Sequence, residues 1–472
     1  MYNNYDNIPK KSFLNNINTL SNKNYNKFNN PYLENKNNPH FFDQFGNNIA
    51  SIAGVIPYNN LESVLPSQSK LLPRYNAYSY QQGIYNNNIN EVYTKKKEND
   101  YFTNNYNKNI KENYNNKKEK DYYNNNCSNE KDRRDLNYII SSKTGLNNLG
   151  NTCYFNTCFQ ILMHSEDFIK RLIAKKSLIS EISTPITYQF YSLCVELVNT
   201  KKPSIEPDNF IKILGKKHPE LKKIIGISQF DTQELCRILL EDINNELNEV
   251  KFKGIYKELN TDGKSKLECC KEFENFSKSR ESSIVIDTFY GQIINIFICK
   301  CKYENYSFQK MIDFPLLLPE DKDFTSINDL LNNYFSNEKI KFKCEGCYKN
   351  RTHKKEMKIT QPPNILILSL QRINHRTETK NKCKVEFSEK LNIKDYIDKD
   401  SEHIDECNYN LFGIACHAGD FTFGHYFALI KLNDKDWYDF NDSKVKYYGD
   451  NIDKDSIFSY AYILFYKKHI QK

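Results

Sequence analysis

The sequence lacks the features typical of membrane-spanning, secreted and nucleic-acid-binding proteins. It has no run of about 18 apolar residues, so no membrane-spanning helix and no membrane partner are expected. No charged segment followed by an apolar one opens the chain, so its 14 cysteines are expected to be reduced thiols in the cytosol or nucleus. Long Arg/Lys blocks are missing too, because the net charge of +8 is spread over interleaved lysines and acids. No nucleic-acid partner is therefore indicated.

Residues 1–143 differ in composition from the rest of the chain. Stretches such as Asn86–Asn88 and Tyr122–Asn126 recur with few aliphatic residues between them. Such a segment cannot bury enough apolar surface to offset the entropy lost on ordering, so we expect it to be mostly disordered. The patch Ile49–Leu65 is more apolar, and it is either a short partner-binding motif or a mildly apolar part of the tail. A folded domain is expected over residues 144–468.

In the first part of this domain, apolar residues recur at the spacing of helices, and in the later part the sequence has patterns typical of strands. Apolar residues at helical spacing predict a helix from Cys153 to about His164, and Asp231 with Glu234 predicts a capping box that opens a second helix. Turn-forming residues at 433–436 are expected to separate two strands. The predicted strands are Ile293–Ile298, Ile365–Leu370, Tyr426–Leu432, Trp437–Phe440 and Tyr460–Tyr466. Helices followed by strands indicate an α+β fold.

A cysteine, Cys153, stands at the start of the first predicted helix, directly after a turn rich in glycine and asparagine. A helix N-terminus stabilises anions through its free N–H groups and its dipole, and the thiolate is the nucleophilic form of cysteine. Asn148 precedes it in the same segment, from where its side-chain amide can donate to a developing oxyanion. Cys153 is therefore the candidate nucleophile, whereas Cys158 on the same helix is expected to be a buried small apolar residue.

Two histidines lie in a later segment that runs from Tyr409 to Tyr426. A cysteine nucleophile needs a base that takes its proton and a group that orients this base. His417 and His425 are the candidate bases in this segment, and Asn441 and Asp442 follow as candidate orienting groups. Because neighbouring side chains of a strand point to opposite faces, only one of Asn441 and Asp442 is expected to face His425.

The two segments resemble the cysteine box and the histidine box of the ubiquitin-specific proteases, a family of the papain-like cysteine peptidase superfamily. The first match runs without a gap from Gly145 to Leu162, and the whole likeness covers about Lys143–Lys468. Other landmarks follow in the order of the family, at residues 229–235, Ser326–Phe335, Ile365–Arg372 and Ala461–Tyr466.

The resemblance implies roles for the candidate residues. His425, after Gly424, takes the place of the catalytic base, and His417 becomes structural. Asn441 takes the third position of a Cys-His-Asn triad, and its amide oxygen suffices to orient an imidazole. Asp442 is the alternative third member, or an auxiliary residue that helps to polarise water or the oxyanion site.

The resemblance also implies a fold and a substrate. The expected fold has a thumb of helices around Cys153, with a palm and fingers built of strands. The expected partners are ubiquitin and ubiquitinated proteins. The catalytic domain is expected to be monomeric, to cleave the bond between ubiquitin and its partner protein, and to need no catalytic cofactor. A non-catalytic ubiquitin-binding scaffold and a protease for a related modifier remain open. A papain-like endoprotease is disfavoured because its cysteine motif is absent, and an RNA-associated role because the tail has no RNA-binding motif.

Four cysteines form a candidate structural zinc site, and they occur as two pairs. Zinc is held by two such pairs in many proteins, and the ubiquitin-specific proteases often have this site. The first pair here is Cys-x-Cys in place of Cys-x-x-Cys, so unliganded thiols are the alternative. The four residues are Cys299, Cys301, Cys344 and Cys347.

Overall fold

The computed structural model describes residues 130–222, 230–253, 259–261, 263–452 and 454–469. The patch Ile49–Leu65, the expected disorder of the tail up to residue 129, and Gln229 of the family landmark lie outside these residues. The helices that follow are α1 Glu130–Ile140, α2 Cys153–Met163, α3 Glu166–Ala174, α4 Pro185–Asn199, α5 Asp208–Lys217, α6 Pro219–Lys222, α7 Thr232–Glu246, α8 Lys266–Arg280, α9 Ile284–Phe289, α10 Ile327–Tyr334 and α11 Lys454–Tyr460. Within the described ranges, none of them is both long and apolar enough to cross a membrane.

The strands are concentrated in the second half of the chain. They are β1 Gly145–Leu146, β2 Ser204–Ile205, β3 Gly291–Ile298, β4 Glu304–Met311, β5 Phe314–Leu317, β6 Phe324–Ser326, β7 Glu338–Lys343, β8 Asn350–Gln361, β9 Ile365–Gln371, β10 Ile373–Asn374, β11 Thr379–Lys380, β12 Lys384–Glu386, β13 Lys390–Asn392, β14 Asn408–Gly419, β15 Gly424–Leu432, β16 Asp436–Asn441, β17 Lys444–Gly449 and β18 Ala461–Lys468. All five predicted strands are present, as β3, β9, β15, β16 and β18. The α+β class is confirmed.

Two sheets organise these strands. The larger has the order β17-β16-β15-β14-β18-β9-β5, with β13 beside β14, and its pairs are antiparallel except for the parallel pair β5 and β9. The smaller is an antiparallel sheet with the order β4-β3-β8-β7. Helices, large sheet and small sheet correspond to the expected thumb, palm and fingers, so this expectation is confirmed.

The large sheet carries an apolar core on each face, because side chains of a strand alternate. On β15, Ala428 and Ile430 belong to the core shared with the helices, whereas Phe427 and Leu429 belong to the core on the other face. Helix α2 lies in the first core with all its residues buried. This packing holds the N-terminal end of α2, where Cys153 lies, close to β15.

Local sequence signals explain where the predicted elements begin and end. Helix α2 begins at Cys153 as predicted, and His164 caps its end. At α7 the side chain of Asp231 accepts from the N–H groups of Gln233 and Glu234, which is the N-cap half of the predicted capping box. The turn between β15 and β16 contains Asn433 and Asp434, both with positive φ (52° and 57°), as tight hairpins require.

The folded domain begins earlier than the predicted boundary at residue 144. Helix α1 spans Glu130–Ile140, and its Leu136 and Ile139 are buried in the core of the helices. Asp132 of the same helix pairs with Lys176 over 2.5 Å. Residues 130–140 therefore belong to the folded unit, although their segment is poor in aliphatic residues.

Removal of α1 is expected to destabilise the domain. A chain that starts at residue 141 should have a free energy of unfolding lower by on the order of 3 kcal/mol than one that starts at residue 126, because the contacts of Leu136 and Ile139 are lost. Urea unfolding of both chains measures this difference. Equal midpoints would show that α1 adds nothing to stability and would restore the boundary near residue 144.

Candidate active site

The segment that contains Cys153 and the segment that contains His425 meet at the N-terminal end of α2. His425, at the start of β15, hydrogen-bonds the thiol of Cys153. Its Nε2 atom lies 2.8 Å from Oδ1 of Asn441 and 3.9 Å from Oδ2 of Asp442. Because the amide oxygen of Asn441 can only accept, it places a proton on Nε2 and leaves Nδ1 to face the thiol. The structure thus brings Cys153, His425, Asn441 and Asp442 together.

The turn before α2 positions Asn148. Its Oδ1 accepts from the backbone N–H groups of Gly150 (3.1 Å) and Thr152 (3.0 Å), which fixes the orientation of the amide. Gly150 has φ of 91° and Asn151 has φ of 53°, so this turn needs residues that tolerate the left-handed region. The Nδ2 group of Asn148 consequently points to Asp442, and it donates to Oδ2 over 3.0 Å.

The start of α2 has no side-chain cap. Thr152 is the N-cap residue, but its Oγ1 accepts from the N–H of Leu149 over 2.9 Å and caps no N–H of the helix. The first N–H groups of a helix have no partner within the helix. The N–H groups and dipole of this helix end are therefore directed at the region of Cys153.

The expectation that only one of Asn441 and Asp442 could face His425 is wrong. Strand β16 ends at Asn441, and Asp442 lies in the turn to β17 with φ of 51°, outside the alternation of the strand. Asn441 reaches Nε2 from the strand, and Asp442 reaches it from the turn. Both side chains therefore contact or closely approach the same nitrogen.

Asn156 completes the site, and the sequence interpretation did not single it out. Its Nδ2 donates to Oδ1 of Asp442 over 2.8 Å and approaches the carbonyl oxygens of Leu146 and Asn147 at 3.3 and 3.4 Å. Both oxygens of Asp442 are thus held by amide groups, from Asn148 and Asn156. The sequence feature that could have identified Asn156 is its position three residues after Cys153, which places both side chains on the same face of the helix.

The surroundings of His425 favour its protonated ring. Burial lowers its pKa, but the hydrogen bond and charge of Cys153, the charge of Asp442 and the hydrogen bond to Asn441 raise the pKa to about 9. The ring is therefore an imidazolium at neutral pH. Because folding raises this pKa above 6.5, the stability that the ring contributes is fully present below pH 6.5 and is lost as the pH rises through 9.

His417 packs among aromatic rings instead of joining this group. Its ring centroid lies 4.5 Å from that of Tyr426 and 5.9 Å from that of Tyr462. Burial and the charges of Lys380, His425 and Arg372 lower the pKa of His417 to about 3, so the ring is neutral. A Cβ atom at Gly424 would lie 1.9 Å from Nε2 of His417, so only glycine fits directly before His425.

Cys158 lies inside α2 and is buried against Cys236. Burial is the largest cause that raises the pKa of the Cys158 thiol. The hydrogen bond to Cys236 and the charge of Cys236 raise this pKa further. A buried neutral thiol of this kind packs as a small apolar side chain.

The four predicted zinc ligands meet at one end of the smaller sheet. The Sγ atoms of Cys299, Cys301, Cys344 and Cys347 lie within 4.8 Å of one another, and those of Cys301 and Cys344 are 3.6 Å apart. Two tight turns present them, with Lys302 and Tyr348 in the left-handed region at φ of 71° and 57°. The Cys-x-Cys spacing of the first pair therefore does not keep the thiols apart, and the group could hold a metal ion.

Fold and site together define a class of protein. A thiol at a helix N-terminus, an imidazole and an amide oxygen lie together here, which is the arrangement that thiol-dependent hydrolysis requires. The chain belongs to the ubiquitin carboxyl-terminal hydrolase family, whose family model matches residues 144–466, more than half of its 472 residues. The resemblance to the ubiquitin-specific proteases is thereby confirmed.

Curated relatives agree with this assignment. The chain is 26% identical over 377 residues to ubiquitin carboxyl-terminal hydrolase 4 of Saccharomyces cerevisiae, covering 70% of this chain and 40% of that protein. It is 26% identical over 355 residues to ubiquitin carboxyl-terminal hydrolase 8 of the same species, covering 68% of this chain and 70% of the relative. The chain thus spans well under half the length of the first of these relatives.

Solved structures share the fold. A SAGA DUB module bound to monoubiquitin contains a chain that aligns with a TM-score of 0.55 and 21% identity, covering 71% of each chain. The same module bound to ubiquitin aldehyde aligns with a TM-score of 0.54 and 22% identity, again covering 71% of each chain.

Proposed function

We propose that this chain is a deubiquitinating cysteine protease that hydrolyses the isopeptide or peptide bond after the C-terminal glycine of ubiquitin. The observation that carries the proposal is the alignment of Cys153, His425 and Asn441, with 2.8 Å between Nε2 of the ring and the amide oxygen. Membership of the ubiquitin carboxyl-terminal hydrolase family supports the substrate. The ubiquitin-bound SAGA DUB module shows that a protein of this fold can hold ubiquitin.

In the proposed reaction the thiolate of Cys153 attacks the carbonyl carbon of the terminal glycine of ubiquitin. The imidazolium of His425 then donates its proton to the departing amine, the carbon–nitrogen bond breaks, and a thioester to Cys153 remains. Neutral His425 next takes a proton from water, and the hydroxide formed in this step attacks the thioester. The products are the C-terminal carboxyl group of ubiquitin, which releases one proton to solvent and becomes the carboxylate, and the restored pair of thiolate and imidazolium. Asn441 keeps the ring oriented in both halves.

Asn148 and the start of α2 are the proposed oxyanion donors. The backbone N–H of Cys153 lies at a helix end without a side-chain cap. The Nδ2 group of Asn148 has two hydrogens, of which its bond to Asp442 uses one. The other can donate to the oxyanion that develops at the attacked carbonyl. In this proposal Asp442 acts twice, because it orients Asn148 and places a negative charge near His425.

A panel of ubiquitin-like proteins with a C-terminal electrophile tests the substrate. We expect the purified chain to react with ubiquitin and to hydrolyse ubiquitin-rhodamine, with related modifiers reacting at least about tenfold more slowly. Preferential reaction with a related modifier would favour the protease for that modifier. Binding of ubiquitin with no reaction at any pH would favour the non-catalytic scaffold.

We further propose that the four clustered cysteines hold a structural zinc ion. Four thiolates around zinc, with bonds of about 2.3 Å, place their sulfurs about 3.8 Å apart, close to the separations found here. The ligands would be Cys299, Cys301, Cys344 and Cys347, and the ion would tie the two turns at this end of the sheet together. It would supply stability, without a part in the cleavage step.

Purified protein is expected to contain about one zinc per chain. Cys344→Ser should release the metal and lower the melting temperature, because one of four ligands is lost. The matched control is Cys407→Ser, which changes another buried cysteine outside the cluster and should retain the metal. Metal analysis of carefully handled protein measures the zinc content. A wild-type protein without metal would show that the four cysteines are unliganded thiols.

We propose a location in the cytosol or nucleus and a monomeric catalytic domain. The location is supported by thirteen free cysteines in the described part of the chain. Fractionation of cells that express the tagged chain tests the location, and light scattering tests the oligomeric state.

A further inference from the structure

The end of β14 beside the active site is held by a side chain from outside the large sheet, that of Lys380 in β11. Its Nζ atom donates to the carbonyl oxygens of His417 over 2.7 Å and of Gly419 over 2.9 Å. Strand β18 pairs with β14 only as far as Cys416, so these two carbonyls lie beyond the end of that pairing. Lys380 therefore supplies hydrogen-bond donors where the neighbouring strand supplies none.

The stretch of β14 that Lys380 holds is paired with the start of β15. Ala418, between the two residues whose carbonyls accept from Lys380, is the partner of His425 in the antiparallel ladder. The ring of His417 also lies against Gly424, where a Cβ atom would come within 1.9 Å of its Nε2. A shift of this end of β14 would therefore move the backbone that carries the imidazole of His425.

Lys380 is itself fixed to the interior of the protein. The next residue, Asn381, donates its N–H to the carbonyl of Arg372 over 2.7 Å, and its own carbonyl accepts from Nη1 of Arg372 over 3.1 Å. Arg372 is 1% exposed, and its guanidinium also donates to the carbonyl oxygens of three further residues. Lys380 therefore extends from backbone that a buried guanidinium holds in place.

Two other contacts reach the turn between β14 and β15 from the same part of the chain, and both are weaker. Lys382 pairs with Asp420 over 2.6 Å, but their side chains are 73% and 66% exposed, and an exposed ion pair contributes little. The ring of His375, an exposed residue, lies 5.8 Å from that of Phe421. Lys380 is thus the strongest of these three connections.

The two hydrogen bonds of Lys380 do not require its charge. Burial lowers the pKa of Lys380 to about 7, and the charges of Arg372 and Lys382 lower it too. The charges of Asp420 and Cys416 oppose this effect. Both the ammonium and the neutral amine carry at least two N–H groups, one for each carbonyl. The contact with the end of β14 is therefore expected on both sides of pH 7.

We propose that Lys380 is a positioning residue, whose hydrogen bonds to the end of β14 keep the imidazole of His425 in its working place. This inference rests on the proposed role of His425. The ring contacts the thiol of Cys153, and its Nε2 lies 2.8 Å from the amide oxygen of Asn441. A misplacement of about 1 Å can cost about 10²-fold in rate, even when its cause lies far from the reacting atoms.

Kinetics with ubiquitin-rhodamine give the first test. Lys380→Met keeps an unbranched apolar side chain and removes the N–H donors. Its kcat is expected to fall by about 10- to 100-fold, with a change in KM of less than about threefold. Lys384→Met is the matched control, because Lys384 is an exposed lysine of the same segment, and it should retain the kcat of wild type. A Lys380→Met variant as active as wild type would overturn the inference.

NMR titration of the His425 ring gives a second test that needs no substrate. Wild type should titrate near pH 9, because the contacts with Cys153 and Asn441 and a nearby carboxylate raise this pKa. In Lys380→Met the pKa should fall by at least about one unit, since a displaced ring loses these contacts. Loss of a positive charge would by itself raise the pKa of a nearby imidazole, so a fall can come only from the change in position.

An unchanged or raised pKa of His425 in folded Lys380→Met overturns the inference, whether or not the protein cleaves ubiquitin. The expected fall in a protein whose wild type cleaves no ubiquitin would contradict the proposed function alone. Circular dichroism and thermal unfolding establish that the variant is folded. If it does not fold, Lys380→Gln carries the same test with the same expected fall, because its shorter side chain keeps a polar end but cannot bridge both carbonyls.

Discussion

Cys153→Ala is expected to abolish reaction with a ubiquitin probe that carries a C-terminal electrophile, and to lower kcat for ubiquitin-rhodamine by at least about 10⁴-fold. The thiol is the only proposed nucleophile, and it lies at the uncapped start of α2 against the His425 ring. Removing one sulfur from a buried position leaves the ubiquitin-binding surfaces in place, so affinity for ubiquitin should be largely retained.

Gel shift with the probe, peptide mapping of the adduct and calorimetry with ubiquitin measure these three quantities. Cys158→Ala is the matched control, since this thiol lies on the same helix and is buried to the same degree. The control should still be labelled. A label that persists in Cys153→Ala, or that maps to Cys158, would refute the assignment of the nucleophile.

Asn441→Ala should lower kcat by about 10²-fold or more with little change in the affinity for ubiquitin. The reason is that Asn441 Oδ1 is the acceptor at 2.8 Å from Nε2, so its loss frees the ring to rotate. Asp442→Ala should cause the smaller loss at neutral pH. Because the charge of Asp442 raises the pKa of His425, this variant should also lose activity at a lower alkaline pH than wild type.

Single-turnover kinetics of both variants over a range of pH measure the two effects separately. If Asp442→Ala shows the larger loss of kcat and Asn441→Ala remains nearly active, the order of the two residues is reversed. Asp442 would then be the main orienting group, and Asn441 would assist it.

What could be predicted from the sequence was carried by contiguous segments. Local spacing of residues predicts the helix that begins at Cys153 and the five strands. The cysteine box and the histidine box each lie within a single stretch of chain, and they identify the family. The pairing of Asn441 with His425 followed from the resemblance, because no local pattern measures a distance across strands. The meeting of the four cysteines likewise depends on how two distant turns fold together.

The failures have physical reasons. Alternation along a strand could not anticipate that β16 ends at Asn441 and that Asp442 turns into the left-handed region. Helix α1 was missed because its few aliphatic residues are stabilised by tertiary packing, which local composition does not register. Asn156 was overlooked because its importance comes from Asp442, a residue far along the chain.

The position of β18 has a consequence for synthesis. This strand is the last of the described elements, yet it lies between β14 and β9 in the middle of the large sheet. Until the chain has been synthesised through Lys468 and β18 has left the ribosome, β14 and β9 have no strand between them to join the two halves of the sheet. The surface against which α2 packs is incomplete until then. A nascent chain therefore carries its thiol for some 300 residues of translation without a working site. A complete site can form only after β18 has been synthesised and has left the ribosome.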